Sequence, residues 1–243
     1  MSLDGSLTGV STSPERPSKA AVINSCTLLN SLEEEALRRL TEVSHMAYAE
    51  RGEPIWMAGA KAEFMAVVGV GFVKMTKSTP QGTEMAVELL GPSQAFGLMA
   101  AIEGRDFPLT AIAVTNTWYL KLPTREIQPI YARSSLLKDQ VIRHIGPRLR
   151  KAHDMMSRLG SGKVEERIAA VLFILADSYG HETSDGVELD VPLTRADISE
   201  MAGTTTETAI RVLSRWQKDG IVATDRQMIT ILDQDALSDV LLG

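Results

Sequence analysis

With 243 residues, a formal charge of −6 and 44% hydrophobic residues, the chain has the make-up of an ordinary globular protein of one large or two small domains. Its single cysteine, Cys26, excludes an internal disulfide, a thiolate zinc site and an iron–sulfur cluster, and no apolar run approaches the ~20 residues of a membrane span. The acidic balance argues against indiscriminate coating of nucleic acid. It leaves room for a local basic patch, because charges are screened beyond about 8 Å at cellular salt.

Residues 1–24 are rich in Ser, Thr, Pro and Gly and read as a disordered arm. They lack the basic head and apolar stretch of a secretory leader, so the expected compartment is the reducing cytoplasm. A short amphipathic helix follows, with Ser31 as N-cap, Glu34 as its capping-box partner, and Leu32, Ala36, Leu37 and Leu40 as the buried stripe. From Glu53 to Leu122, short runs rich in Val, Met and Phe alternate with glycines. Strands are expected at Pro54–Met57, Phe64–Val70, Gly71–Lys77, Glu84–Leu90, Leu109–Val114 and Thr117–Leu122. That texture is an antiparallel barrel or sandwich, with Met57, Met65, Met75, Met85 and Met99 as packing residues.

Pro123-Thr124 opens a short helical stretch, and residues 133–159 form a long helix. Along it Ile142, Ile145, Leu149, Ala152, Met156 and Leu159 alternate three and four apart, the seam of a dimeric coiled coil. A second stripe, Leu137, Val141 and Met155, is expected to pack back on the barrel. Gly146-Pro147 interrupts the pattern and predicts a kink or break. Gly160-Ser161-Gly162 is a hinge. Beyond it the pattern predicts a helix at Val164–Ser178, a strand at Val187–Val191, two helices separated by Gly203, and a hairpin at Ile221–Leu232. The domains are thus the arm at 1–24, the barrel with its leading helix at 25–132 (the sensor, under the resemblance given below), a dimerisation helix and hinge at 133–160, and a C-terminal unit at 161–243.

The chemistry concentrates between Leu193 and Gly220. Thr194 caps one helix, with Asp197 at its third position; Gly203 supplies a tight turn; Thr205 caps the next helix. On that second helix Ala209, Val212, Leu213 and Trp216 form a buried face. The opposite face, within 205–215, carries Thr205, Thr206, Glu207, Ile210, Arg211, Ser214 and Arg215. A helix–turn–helix lays such a face in the DNA major groove. Arg211 suits guanine O6 and N7, Glu207 suits cytosine N4, and Ile210 suits a thymine methyl. Thr194 and Arg195 suit phosphate contact, and Arg226 sits near the tip of the following hairpin.

From Leu28 to Leu232 the chain resembles the CRP/FNR superfamily of bacterial transcription regulators. The resemblance rests on the helix–turn–helix segment, the glycine-spaced barrel ending in Ala95-Phe96-Gly97, and the long helix between them. It implies an α+β fold: an N-terminal antiparallel β-roll like a cyclic-nucleotide-binding domain, a long dimerisation helix, and a C-terminal winged helix–turn–helix. By position it assigns base reading to Glu207 and Arg211, a variable base contact to Thr206, and phosphate contact to Thr194 and Arg195. It implies a homodimer on palindromic double-stranded DNA, with RNA polymerase as a partner, no membrane and no enzymatic activity.

The effector pocket falls at Gly97, Leu98, Leu109 and Thr110. Cyclic-nucleotide-binding members carry an acidic residue after Phe-Gly and an Arg-Ser or Arg-Thr pair; here these positions hold Leu98 and Leu109-Thr110. A cyclic phosphate buried without its arginine would be a poorly paired charge. Members that sense oxygen through an iron–sulfur cluster need a set of cysteines. The expected signal is therefore neither cyclic AMP nor an iron–sulfur cluster. His45, His144, His153 and His181 have no metal-ligand spacing, so no metal site is expected; the cofactor stays open, with His45 or His144 as a lone axial ligand to a haem. The competing reading is a small-molecule-binding or cupin-type enzymatic barrel with an accessory helical domain, but for the enzyme no His/Glu cluster or nucleophile–base pair lies within 53–122.

Overall fold

A computed structural model describes residues 14–79 and 82–242. The fold is α+β. Helix α1 (Lys19–Ser25) and helix α2 (Glu34–Val43) lead into the strands β1 (His45–Ala49), β2 (Pro54–Trp56), β3 (Phe64–Val70), β4 (Val73–Ser78), β5 (Glu84–Leu90) and β6 (Ala95–Phe96). Helix α3 (Leu98–Glu103) separates these from β7 (Thr110–Ala113) and β8 (Thr117–Pro123). Two antiparallel sheets result, in the orders β1-β8-β3-β6 and β2-β7-β4-β5.

Side chains alternate across a strand, and β3 uses both of its faces. Ala66 and Val68 enter the core between the sheets with Trp56, Met75, Phe96 and Phe107. Met65 and Val67 enter a second core beneath the helices with Leu40, Ile127, Leu137 and Val141. Burial on both faces is why β3 reads as an unbroken apolar run.

Helix α4 (Thr124–Arg133) and the long helix α5 (Ser135–Ser161) follow. Ser134 caps α5 by accepting from Leu137 N at 3.1 Å. The last part comprises α6 (Val164–Tyr179), β9 (Gly180–Thr183), β10 (Gly186–Leu189), α7 (Arg195–Ala202), α8 (Thr206–Lys218), β11 (Val222–Asp225), β12 (Met228–Ile231) and α9 (Gln234–Leu242). Its sheet runs β11-β12-β10-β9.

Several expectations are revised. Of the arm read as disordered, residues 1–13 lie outside the described residues, but Lys19–Ser25 are helical. Ser18 caps that helix, and Val22 and Ile23 are buried in the core beneath the helices. Ser31 is not an N-cap. The backbone turns of Leu29 and Asn30 onto Cys26 bring Leu28 and Leu29 into the core, and the helix starts only at Glu34. The Ser31 hydroxyl is left buried without a partner. Gly146-Pro147 does not break α5, which is continuous to Ser161, so the expected hinge shrinks to Gly162-Lys163. Met155 packs on the C-terminal core rather than on the barrel, because it lies beyond the part of α5 that the barrel reaches. Strands β1, β6 and β9 and helices α3 and α9 had no clear signature.

Candidate nucleic-acid interface

The helix–turn–helix is built from local bonds. Thr194 Oγ1 accepts from Asp197 N at 3.1 Å, and Thr194 N donates to Asp197 Oδ2 at 2.9 Å, a complete capping box at the start of α7. Gly203 ends α7 in the left-handed region, at φ 58°, where any side chain is strained; a Cβ there would also sit 2.7 Å from Leu159. Thr205 caps α8 by accepting from Thr208 N.

Ala209, Val212, Leu213 and Trp216 anchor α8 in the C-terminal core with Ile198, Leu172 and Ile231. Their burial turns the other face outward. Glu207, Arg211, Ser214 and Arg215 are exposed, and Ile210 is 46% exposed. The Glu207 carboxyl is held below its usual range by its own backbone N–H and by the Thr205 hydroxyl, so it stays an ionised acceptor. Among the described residues no ion pair engages Arg211. Arg215 instead reaches sideways to Glu165 at 3.3 Å, and Thr206 is half-buried with its hydroxyl 3.2 Å from Ser199 Oγ. The outward face therefore centres on Glu207, Ile210, Arg211 and Ser214.

At the start of α7, Thr194 and Arg195 are half-buried. The Thr194 hydroxyl donates to Asp197 Oδ2 at 2.6 Å, and Arg195 Nη2 donates to Thr224 Oγ1 at 3.1 Å. The backbone N–H groups of Arg195 and Ala196 stand in the first turn, where no intrahelical acceptor exists. Strands β11 and β12 form the wing. Arg226 and Gln227 at its tip both have positive φ, 43° and 74°, as a two-residue hairpin turn requires.

The long helix presents a row of apolar side chains to solvent. Ile142 is 69%, Leu149 53% and Met156 67% exposed, at intervals of seven residues, and Ala152 is also exposed. Two members of the expected seam turn partly inward: Ile145 packs on the core beneath the helices, and Leu159 covers the turn at Gly203.

In the β-roll, two of the expected effector residues, Gly97 and Leu109, adjoin an aromatic stack, whereas Leu98 packs into the core beneath the helices. Trp56 lies on Phe107 at 4.0 Å between centroids and on Phe96 at 5.0 Å. Gly97 has φ 72°, and a Cβ there would meet Phe107 at 2.9 Å and Trp56 at 3.0 Å. Leu98 is buried. Trp56 Nε1 donates to the Leu109 carbonyl at 3.0 Å, and Thr110 Oγ1 accepts from Ala58 N at 3.0 Å. Cys26 is buried, and burial pushes its thiol up, away from the reactive thiolate.

His45 is exposed on β1, whereas burial and the nearby Arg148 push His144 down to about 4. Hairpin pairing gathers His181, Glu188 and Asp190 on the exposed face of β9 and β10, with His181 Nδ1 2.9 Å from Asp190 Oδ1. Sequence spacing concealed that group, since pairing across strands brings it together. Sequence reading also missed two barrel cations, Arg51 and Lys74, which meet α7. The one available signal was a lysine inside an otherwise non-ionic run, Val73–Thr76, that is buried throughout.

Comparison with known proteins supports both halves. A model of the Crp-like helix-turn-helix domain matches residues 166–240, and one of the cyclic nucleotide-binding domain matches residues 47–134. The Global nitrogen regulator of Synechococcus elongatus is 26% identical over 191 residues, covering 78% of this chain and 86% of that protein. The Fumarate and nitrate reduction regulatory protein of Escherichia coli (strain K12) is 27% identical over 193 residues, covering 79% and 76%. The structure of FixK2 from Bradyrhizobium japonicum shares the fold, with TM-score 0.72 at 23% identity, covering 82% of this chain and 97% of that one.

Proposed function

We propose, for a chain that belongs to the CRP/FNR superfamily of transcription regulators, that it acts as a homodimeric, sequence-specific reader of palindromic DNA. The observation that carries this reading is α8: a helix with one face locked in the core and an outward face of Glu207, Ile210, Arg211 and Ser214. Those groups match the donor, acceptor and methyl pattern of base edges in the major groove. Thr194, Arg195 and the free N–H groups of α7 serve phosphate, as does the wing around Arg226. The exposed row Ile142, Leu149 and Met156, spaced by heptads, supports pairing of two copies along α5.

In this reading residues 25–132 sense, 133–160 pair and 161–243 read DNA, in the cytoplasm and together with RNA polymerase. The signal is neither cyclic AMP nor an iron–sulfur cluster. Trp56 and Phe107 crowd Gly97, Leu109 stands where the phosphate arginine of cyclic-nucleotide binders would be, and the one cysteine is buried.

Selection of the effector-free protein on random duplex DNA at physiological salt tests the reading. Enrichment of a palindrome with a G·C pair in each half-site, half-sites about one helical turn apart, is expected. Retention of DNA without any enriched sequence, by a protein that elutes as a monomer, would refute it.

A further inference from the structure

The reading head does not hang free of the β-roll. Helix α7 packs against β5, the edge strand of the second sheet, and Phe72 and Leu89 of the β-roll join the core of the head. The Tyr179 hydroxyl, at the end of α6, lies 2.9 Å from the Leu89 carbonyl and 2.8 Å from Gln94 Oε1.

Within this contact sits a buried cation. Lys74 of β4 is 9% exposed, and its Nζ lies 2.8 Å from Asp197 Oδ1 and 2.6 Å from Glu200 Oε2. Both carboxylates belong to α7, across the domain boundary. On the same face of the barrel, Arg51 Nη1 donates to Gln227 Oε1 at the wing tip at 2.6 Å, and its Nη2 is 3.9 Å from Asp197 Oδ2.

A lysine has no reason to be buried on a barrel that stands alone; here it is the docked head that covers it, and a buried ammonium is tolerated only when paired. Asp197 has a second duty, since its carboxylate closes the capping box with Thr194. Lys74 thus grips the acidic residue that organises the phosphate-facing end of α7. The strand that carries it is hydrogen-bonded on both sides, to β5 and β7. The grip leaves the outward face of α8 uncovered.

We infer that Lys74 is a positioning residue for DNA reading: by holding Asp197 and Glu200 it fixes the bearing of the head on the β-roll, and so the spacing at which two heads meet two half-sites. This rests on the dimeric reading above. A fixed bearing matters because the second half-site is then met intramolecularly, at high effective concentration.

The test compares full-length wild type with K74M on a palindrome, on a single half-site, and on palindromes of varied spacing. In K74M, palindrome affinity should fall about tenfold or more and the spacing preference should broaden, while single half-site affinity is unchanged. K74R, which keeps the positive charge between Asp197 and Glu200, should retain the preference. Equal loss on palindrome and half-site, or an unaltered spacing preference, would overturn the inference. A second readout needs no DNA. Trypsin cleavage after Lys163, in the two-residue connection between α5 and α6, should speed up in K74M while the melting of the head is unchanged; an unchanged rate counts against the clamp. A wild type that selects only single sites refutes the dimeric reading, and the cleavage rate still decides the role of Lys74.

Discussion

Helix α8 and the interior of the β-roll use their side chains in opposite directions. Along α8 the apolar residues are sunk in the core, and the hydrogen-bonding chemistry stands outside, unspent. In the β-roll the backbone at Gly97 is packed against the protein's own rings, and the polar groups nearby are already engaged, Thr110 by Ala58 and Trp56 by Leu109. A site that must read something keeps its donors and acceptors free. An interior filled with aromatic packing contributes rigidity instead.

Substitution at the two tryptophans breaks this comparison hardest. Trp216→Ala and Trp56→Ala should each cost about 3–5 kcal/mol, the usual loss for a large buried aromatic. Their consequences should separate. In denaturant titrations followed by DNA binding, Trp216→Ala should abolish specific binding along with the head's fold, whereas Trp56→Ala should lower the stability of the β-roll and open a cavity there. Arg211→Ala comes next. It should cost about 1–3 kcal/mol on the selected site and relax preference at one G·C pair, read from competition binding against single-base variants. A uniform loss on all sequences would place Arg211 on the backbone rather than in the groove.

Smaller still is the cap. Thr205→Ala should destabilise the head by about 1 kcal/mol, measured by thermal melting, through loss of the hydrogen bond to Thr208 N. The smallest effect is that of pH. The Asp197 carboxyl is buried, which alone would raise it, but bonds from Lys74 and Thr194 hold it below its usual range. Its stabilising contribution is therefore complete above the unfolded value of about 3.9 and is lost as pH falls through the depressed folded value. Melting temperature should drop below about pH 4, and Asp197→Asn should flatten that limb.

The same contrast explains what could be read from the chain. The capping Thr194 and Thr205, the glycine at the turn and the buried stripe to Trp216 all act within a few residues of one another, so the helix–turn–helix was legible. Strands β2 to β5, β7 and β8 were legible as short apolar runs punctuated by glycines. Strand β6 is two residues long and exists only because Ala95 and Phe96 pair with β3. Helix α1 lies in a Ser- and Pro-rich context and is held by burial of Val22 and Ile23. The Lys74–Asp197 bond spans 123 positions, a distance at which no local pattern operates.

The connection between α5 and α6 is Gly162-Lys163 alone. Two residues reach at most about 7 Å. The connection is accordingly a joint without slack: a head released from the β-roll would turn at the end of its shaft rather than travel. Any rearrangement at this joint is an angle, and in the proposed dimer the distance between two heads would change only as far as those angles, multiplied by the length of the head, allow.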